Sequence, residues 1–324
     1  MLESYLRRHL QTALNINCCL DHLFQMCKCA NHPFAMRFSL PFLLGLASAA
    51  SLSIPNTTLG QEIVTWDDKS LFVYGERVLL LSGEFHPFRL PSPGLWLDVF
   101  QKVRAIGYSA VSFYVDWALL EGQPGHIRTQ GVFDLEPFFA AAREAGLYLI
   151  ARPGPYINAE VSGGGFPGWL QRLDGPLKRT DSPYLDAITP YIATVGEIIA
   201  RAQITNGGPV ILVQAENEYT LCMTETGYTQ MNNETVTAAN NSCLETEYMA
   251  YVEDQYRQAG IVVPLIVNDA EPLGDFAPGT GVGAVDIYSF DFYPLQWSTA
   301  RMSWTLCGFS LLTKQLAMHR TGLH

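Results

Sequence analysis

Ten consecutive residues constrain this chain most. Val210-Ile211-Leu212-Val213-Gln214-Ala215 reads as a strand, and it runs straight into Glu216-Asn217-Glu218-Tyr219. A strand core does not tolerate two carboxylates, because burying an unpaired charge is costly. The chain must therefore reach an open rim at this point, which is where a barrel of parallel strands keeps its polar side chains.

The surrounding pattern supports that reading. From about residue 62, short apolar strands alternate with helical stretches. Val78–Phe85 predicts a strand, then Leu95–Ile106 a helix stopped by Gly107. Ala110–Val115 is the next strand and Leu135–Ala145 the next helix, closed by Gly146. Leu147–Ala151 is a third strand, Tyr184–Gln203 a long helix interrupted early by Pro190, and the Glu-Asn-Glu strand is fourth. Glu245–Ala259 is helical, followed by Val262–Val267 and Val285–Phe290 as fifth and sixth strands. Alternation of this kind predicts an α/β fold with a parallel sheet. Polar residues at one strand end after another favour a (β/α)8 TIM barrel over a doubly wound sheet. About six of the eight units are visible, so the expected barrel is incomplete, with strands seven and eight missing.

Composition narrows the partners. The net charge of −11 argues against nucleic acid and against an anionic membrane surface. Gly163-Gly164-Gly165 has neither a following Gly-Lys-Ser/Thr nor a dinucleotide fingerprint, so no phosphate-bearing cofactor is expected. No His/carboxylate spacing suits a metal, and His86 reads as a hydrogen-bonded strand-end histidine.

Residues 36–53 carry a basic residue, a short apolar stretch and small residues, the pattern of a secretory signal peptide. The apolar stretch is too short to span a bilayer comfortably, so no stable membrane association is expected. Met36 is then the true start, and residues 1–35 are an upstream extension. A membrane-anchored form with a long cytoplasmic tail is the alternative. Export to the extracellular space makes Cys222 and Cys243 a candidate disulfide, against two free thiols. It also suits the glycosylation sequons at Asn56, Asn233 and Asn240.

Five motifs carry a family resemblance. They are Ser82-Gly83-Glu84-Phe85-His86-Pro87-Phe88-Arg89, Ser112-Phe113-Tyr114-Val115-Asp116-Trp117, the run from Ala151 to Glu160, Gly163-Gly164-Gly165-Phe166-Pro167-Gly168-Trp169-Leu170, and Glu216-Asn217-Glu218-Tyr219. Together they resemble the large secreted fungal-type β-galactosidases of glycoside hydrolase family 35, over roughly residues 62–295. The resemblance implies a retaining glycosidase acting on β-galactosides of oligo- or polysaccharides. It makes Glu218 the acid/base, and Asn217 a hydrogen-bonding partner of the galactose at its 2-hydroxyl. It makes Tyr114, Asn158, Ala159, Glu160 and Tyr293 further sugar contacts. One departure is Ala215, where relatives usually carry Pro.

The chemistry agrees with that assignment. A proton donor to a glycosidic oxygen needs a raised pKa, which burial beside another carboxylate supplies. A retaining pair stands about 5–5.5 Å apart, so the nucleophile must lie across the barrel mouth. Glu216, two positions earlier on the same strand, cannot fill that role. Taken as residues alone, Glu218 serves equally as a rim carboxylate in a structural ion pair. Tyr114 and Tyr293 serve equally as wall residues, and Asn158 as a turn residue after Pro-Gly-Pro.

The family places its nucleophile at the end of the seventh strand, and this sequence has no acidic residue after Asp291. The resemblance stops at Leu295. Residues 296–324 are read as a non-homologous tail from a reading-frame slip or a misjudged intron boundary. Three expectations follow: a β-galactosidase chain without its nucleophile and inactive as written, a galactose-binding pseudoenzyme, or a fragment without a stable fold.

Overall fold

The computed structural model describes residues 60–180, 182–220, 244–270 and 272–291. The sequence segments 1–35, 36–53 and 296–324 lie outside them, as do Tyr293, Cys222, Cys243, Asn56, Asn233 and Asn240.

Two sheets are present among the described residues. The first is a small antiparallel meander of β1 (Val64–Trp66), β2 (Leu71–Val73) and β3 (Glu76–Val78). The sequence pattern did not separate these strands, because three residues are too few to establish a period. The second sheet is parallel and ordered β4 (Ser82–Glu84), β5 (Ala110–Tyr114), β6 (Tyr148–Gly154), β7 (Val210–Ala215), β8 (Leu265–Ile266). Its register pairs Gly83 with Val111, Val111 with Leu149, Ala151 with Val213, and Val213 with Leu265. These are the first five strands of a (β/α)8 barrel. The expected sixth is reduced to two parallel bridges, Ile266–Ile287 and Asp269–Phe290. The fifth is shorter than its apolar run because Pro264 has no N–H for the ladder. Its carbonyl still accepts from Val213 N at 3.1 Å.

Among the described residues, five α-helices accompany the sheets: α1 (Pro93–Ala105), α2 (Trp117–Leu120), α3 (Glu136–Glu144), α4 (Ser182–Ala202) and α5 (Thr246–Gln258). Pro93 opens α1, where its missing N–H has no intrahelical partner to lose. Trp96 and Phe100, one turn apart, are its buried stripe. Phe138 of α3 collects the rings of Phe85, Trp96, Phe100 and Phe113 at centroid distances of 4.8–5.5 Å. That aromatic knot seals the first two strands against their helices. Helices α4 and α5 pack closely enough that a Cβ on Gly196 would stand 2.6 Å from the Ala259 Cβ.

Every residue of β5 and β7 is buried, as expected for strands covered on both faces. At the polar end of β6 the ladder slips. Ala151 pairs with Val213, but Gly154 pairs with Ala215, so β6 carries one extra residue there. This bulge falls on Arg152-Pro153, and bulges of this kind re-aim a side chain at a rim.

Candidate active site

The polar ends of the strands meet at one mouth. Asn217, directly after β7, is its hub and is buried. Its Oδ1 accepts from Arg152 Nη2 at 2.9 Å, Asn268 Nδ2 at 2.9 Å, the Tyr114 hydroxyl at 3.1 Å and Gln214 Nε2 at 3.4 Å. Four donors on one carbonyl oxygen fix the orientation of the amide. Among the described residues its Nδ2 has no partner, which leaves a donor for a ligand at the mouth.

Arg152 ties three strands together. Its guanidinium reaches Glu84 at the end of β4 and Asn217 after β7, and it lies 4.1 Å over the Tyr114 ring of β5. Ser112 adds a 3.0 Å bond to the same Glu84 oxygen. His86 accepts from Tyr114 N on Nδ1 at 3.1 Å, so its proton sits on Nε2, 3.9 Å from Glu84. Burial pulls the His86 pKa down to about 4, so it is a neutral strand-end histidine at ordinary pH. Asn268, after β8, donates to Asn217 and to Asp291 at 2.8 Å, and accepts from Glu218 N at 3.1 Å.

Glu218 is half-buried on this rim. Burial raises its pKa above the ordinary carboxylate value, and the charges of Asp291 and Glu160 add to that; Arg152 and Lys178 oppose it. Among the described residues its carboxylate accepts no hydrogen bond, so it is open to a ligand. Glu216 is its opposite: fully buried, with Oε1 accepting from the Tyr248 hydroxyl at 2.6 Å and Oε2 3.0 Å from the Lys178 ammonium.

The other expected contact residues lie on the turn after β6. Asn158, Ala159 and Glu160 have φ of 54°, 47° and 48°. Three consecutive non-glycine residues in the left-handed region cost of order 1–3 kcal/mol each. Arg89 helps hold the turn by donating to the Ala159 carbonyl. Asn158 and Glu160 are exposed and Ala159 is buried. On the far side of the turn, Gly164 sits against Tyr156 so closely that a Cβ would stand 2.0 Å from the ring. Glu216 and Glu218, at φ 58° and 44°, repeat the left-handed backbone after β7. Among the described residues, five of the seven non-glycine residues with positive φ thus sit on these two turns.

The sequence did not single out Arg152, Glu84, Asn268 or Asp291 as site residues. Each nevertheless lies at the polar end of a predicted strand, and that position was the available signal. Among the described residues there is no group of three or more His, Cys, Asp or Glu able to hold a metal ion, and no helix long and apolar enough to cross a membrane.

A family model for the glycosyl hydrolases family 35 matches residues 70–296. Probable β-galactosidase A of Aspergillus flavus is 60% identical over 243 residues, which are 75% of this chain and 23% of that protein. β-Galactosidase A of Aspergillus niger is 59% identical over 245 residues, 74% of this chain and 22% of that one. The chain spans about a quarter of the length of these curated relatives. Among solved structures, the exo-β-1,4-mannosidase Op5Man5 from Opitutaceae bacterium strain TAV5 superposes with a TM-score of 0.50 at 14% identity. It covers 68% of this chain and 39% of its own, a likeness of fold alone. With its motifs at the strand ends and the family match over most of its length, this chain belongs to glycosyl hydrolases family 35.

Proposed function

We propose that this chain carries the galactoside-recognising, proton-donating part of a secreted retaining β-galactosidase. The observation that carries the reading is the environment of Glu218. It is a half-buried carboxyl with raised proton affinity at the end of the fourth barrel strand, ringed by Asn217, Arg152 and Asn268. Such a group holds its proton more tightly than an ordinary carboxyl and can give it to a leaving oxygen.

In this reading Glu218 protonates the glycosidic oxygen as the bond to the anomeric carbon breaks. A carboxylate from the seventh strand forms the glycosyl ester. Glu218 then takes a proton from the water that cleaves the ester, and configuration is retained. Asn217 offers its Nδ2 to a sugar hydroxyl, and Tyr114, Asn158, Ala159, Glu160 and Tyr293 complete the galactose contacts. Export accompanies this role, with a Cys222–Cys243 disulfide and glycans at Asn56, Asn233 and Asn240.

The test is a chimera that joins residues 62–295 to the continuation of the Aspergillus oryzae β-galactosidase A, a 60% identical relative. Hydrolysis of a chromogenic β-galactoside by the chimera is expected, with a loss of ~10²–10⁴ in kcat for Glu218→Gln. Unchanged turnover in that variant sinks the reading.

A further inference from the structure

The underside of the turn after β7 holds a charge pair that catalysis as described does not use. The two oxygens of buried Glu216 are both engaged: one with the Tyr248 hydroxyl, the other with Asn217 N at 3.2 Å and the Lys178 ammonium at 3.0 Å. Lys178 itself has φ 60°. A non-glycine residue stays in that conformation only where its surroundings over-determine it.

Those surroundings are specific. The ammonium stands 4.2 Å from the Tyr156 ring centre and 5.2 Å from that of Tyr219. The Lys178 carbonyl accepts from the Tyr219 hydroxyl at 2.9 Å. The next two residues bind Glu245 near the head of α5: Arg179 Nε at 2.8 Å, Thr180 N at 2.8 Å and Thr180 Oγ1 at 2.7 Å. Lys178-Arg179-Thr180 is thus a strap fastened at one end to the β7 turn and at the other to the approach to α5.

We propose that Lys178 is a positioning residue for Glu218: it clamps the strained Glu216-Asn217-Glu218 turn from below and presents the acid with a positive charge. The proposal rests on the reading of Glu218 as proton donor. An acid that must also act as base needs a proton affinity held between extremes. Four charged groups face Glu218 from separate elements. Asp291 from the sixth strand and Glu160 from the β6 turn raise its proton affinity, together with burial; Arg152 from β6 and Lys178 from the strap lower it. Lys178 is therefore one of two cations in that balance, and it is also bonded to the turn that carries the acid.

The test reads protonation directly and needs no turnover. The 324-residue chain, labelled with 13C-glutamate, is titrated by NMR, and the Glu218 resonance is assigned by its loss in Glu218→Gln. Lys178→Met is expected to move the Glu218 midpoint upward, and Lys178→Arg to return it towards wild type. Should Lys178→Met fail to fold, Lys178→Gln, which keeps a polar donor beside Glu216 without the charge, takes its place and must show the same upward shift. A wild-type midpoint in the folded methionine variant, or an equal shift in Lys178→Arg, overturns the proposal. Failure of the chimera to hydrolyse galactosides is a separate result: it removes the donor role of Glu218 while leaving the measured coupling to Lys178 in place.

Discussion

Glu216 and Glu218 sit two residues apart on one turn, with similar left-handed backbones, and face opposite surroundings. The underside encloses Glu216 completely and gives it a tyrosine hydroxyl, a backbone N–H and an ammonium. The mouth half-covers Glu218, gives its carboxylate no hydrogen bond among the described residues, and raises its proton affinity. Burial alone does not distinguish a structural carboxylate from a reactive one. On this turn the partners differ: both oxygens of Glu216 are engaged, and the carboxylate of Glu218 is left open to a ligand.

The largest expected effect tests that contrast. Glu216→Ala strands Lys178 against two tyrosine rings without its counter-charge. Removing one member of a buried pair costs about 3–5 kcal/mol, to be read from urea unfolding midpoints. Glu218→Ala, two residues later, is expected to stay within about 0.5 kcal/mol of wild type, because no native bond of its carboxylate is lost. Equal losses in the two variants would break the comparison.

Arg152→Met comes next. Its guanidinium bridges Glu84 and Asn217, so the loss of charged hydrogen bonds in a buried setting is expected to cost roughly 1.5–3 kcal/mol. Unlike Glu216→Ala, this variant must also change the mouth. With one of its two cations gone, Glu218 should titrate higher, measurable in the same NMR experiment. A stability loss without that movement would make Arg152 a mere strut.

The fold was legible where periodicity is strong. The first five barrel strands and the four long helices lie within a few residues of their apolar patterns. The meander was not, because strands of three residues are too short to show a period. Its one local marker is the Tyr74-Gly75 turn, where both residues have positive φ. At the site, the motifs led to Glu218, Asn217 and the Asn158–Glu160 turn. They did not disclose that Arg152, Glu84 and Asn268 converge on Asn217. Which strand ends touch depends on register and on the β6 bulge, and neither is encoded in any one strand. Lys178 was beyond reach for a different reason: it lies on an irregular segment, and only the tertiary structure brings it under Glu216.

Glu253 sharpens the comparison by showing what a raised pKa does not mean. On α5, burial first and then Asp286 push its carboxyl up to about 7. Yet it lies outside the network of donors that surrounds Glu218, so perturbation alone marks no active site. The sign is fixed by linkage. A folded-state pKa above the unfolded 4.5 gives stability that is present below pH 4.5 and is lost as pH rises through about 7. Glu253→Gln should therefore flatten the fall in melting temperature between those pH values, while leaving ligand binding at the mouth unchanged.

The smallest effect belongs to the meander and has the opposite sign. Asp67 is held down to about 2, chiefly by its hydrogen bond to Arg77, with Lys69 N and Ser70 N adding to it against the cost of burial. Because the folded value lies below the ordinary 3.8, this carboxylate stabilises the fold above pH 3.8, and the contribution disappears as pH falls through about 2. Arg77 is half exposed, so water screens the pair. Asp67→Asn keeps an oxygen for the two backbone donors and loses only the charge, an expected cost of ~0.2–1 kcal/mol at neutral pH. Thermal melts from pH 5 to pH 2 decide it: the variant should converge on wild type at the acid end. A gap that persists at pH 2 would mean that the loop geometry around Asp67, and not its charge, is what the meander depends on.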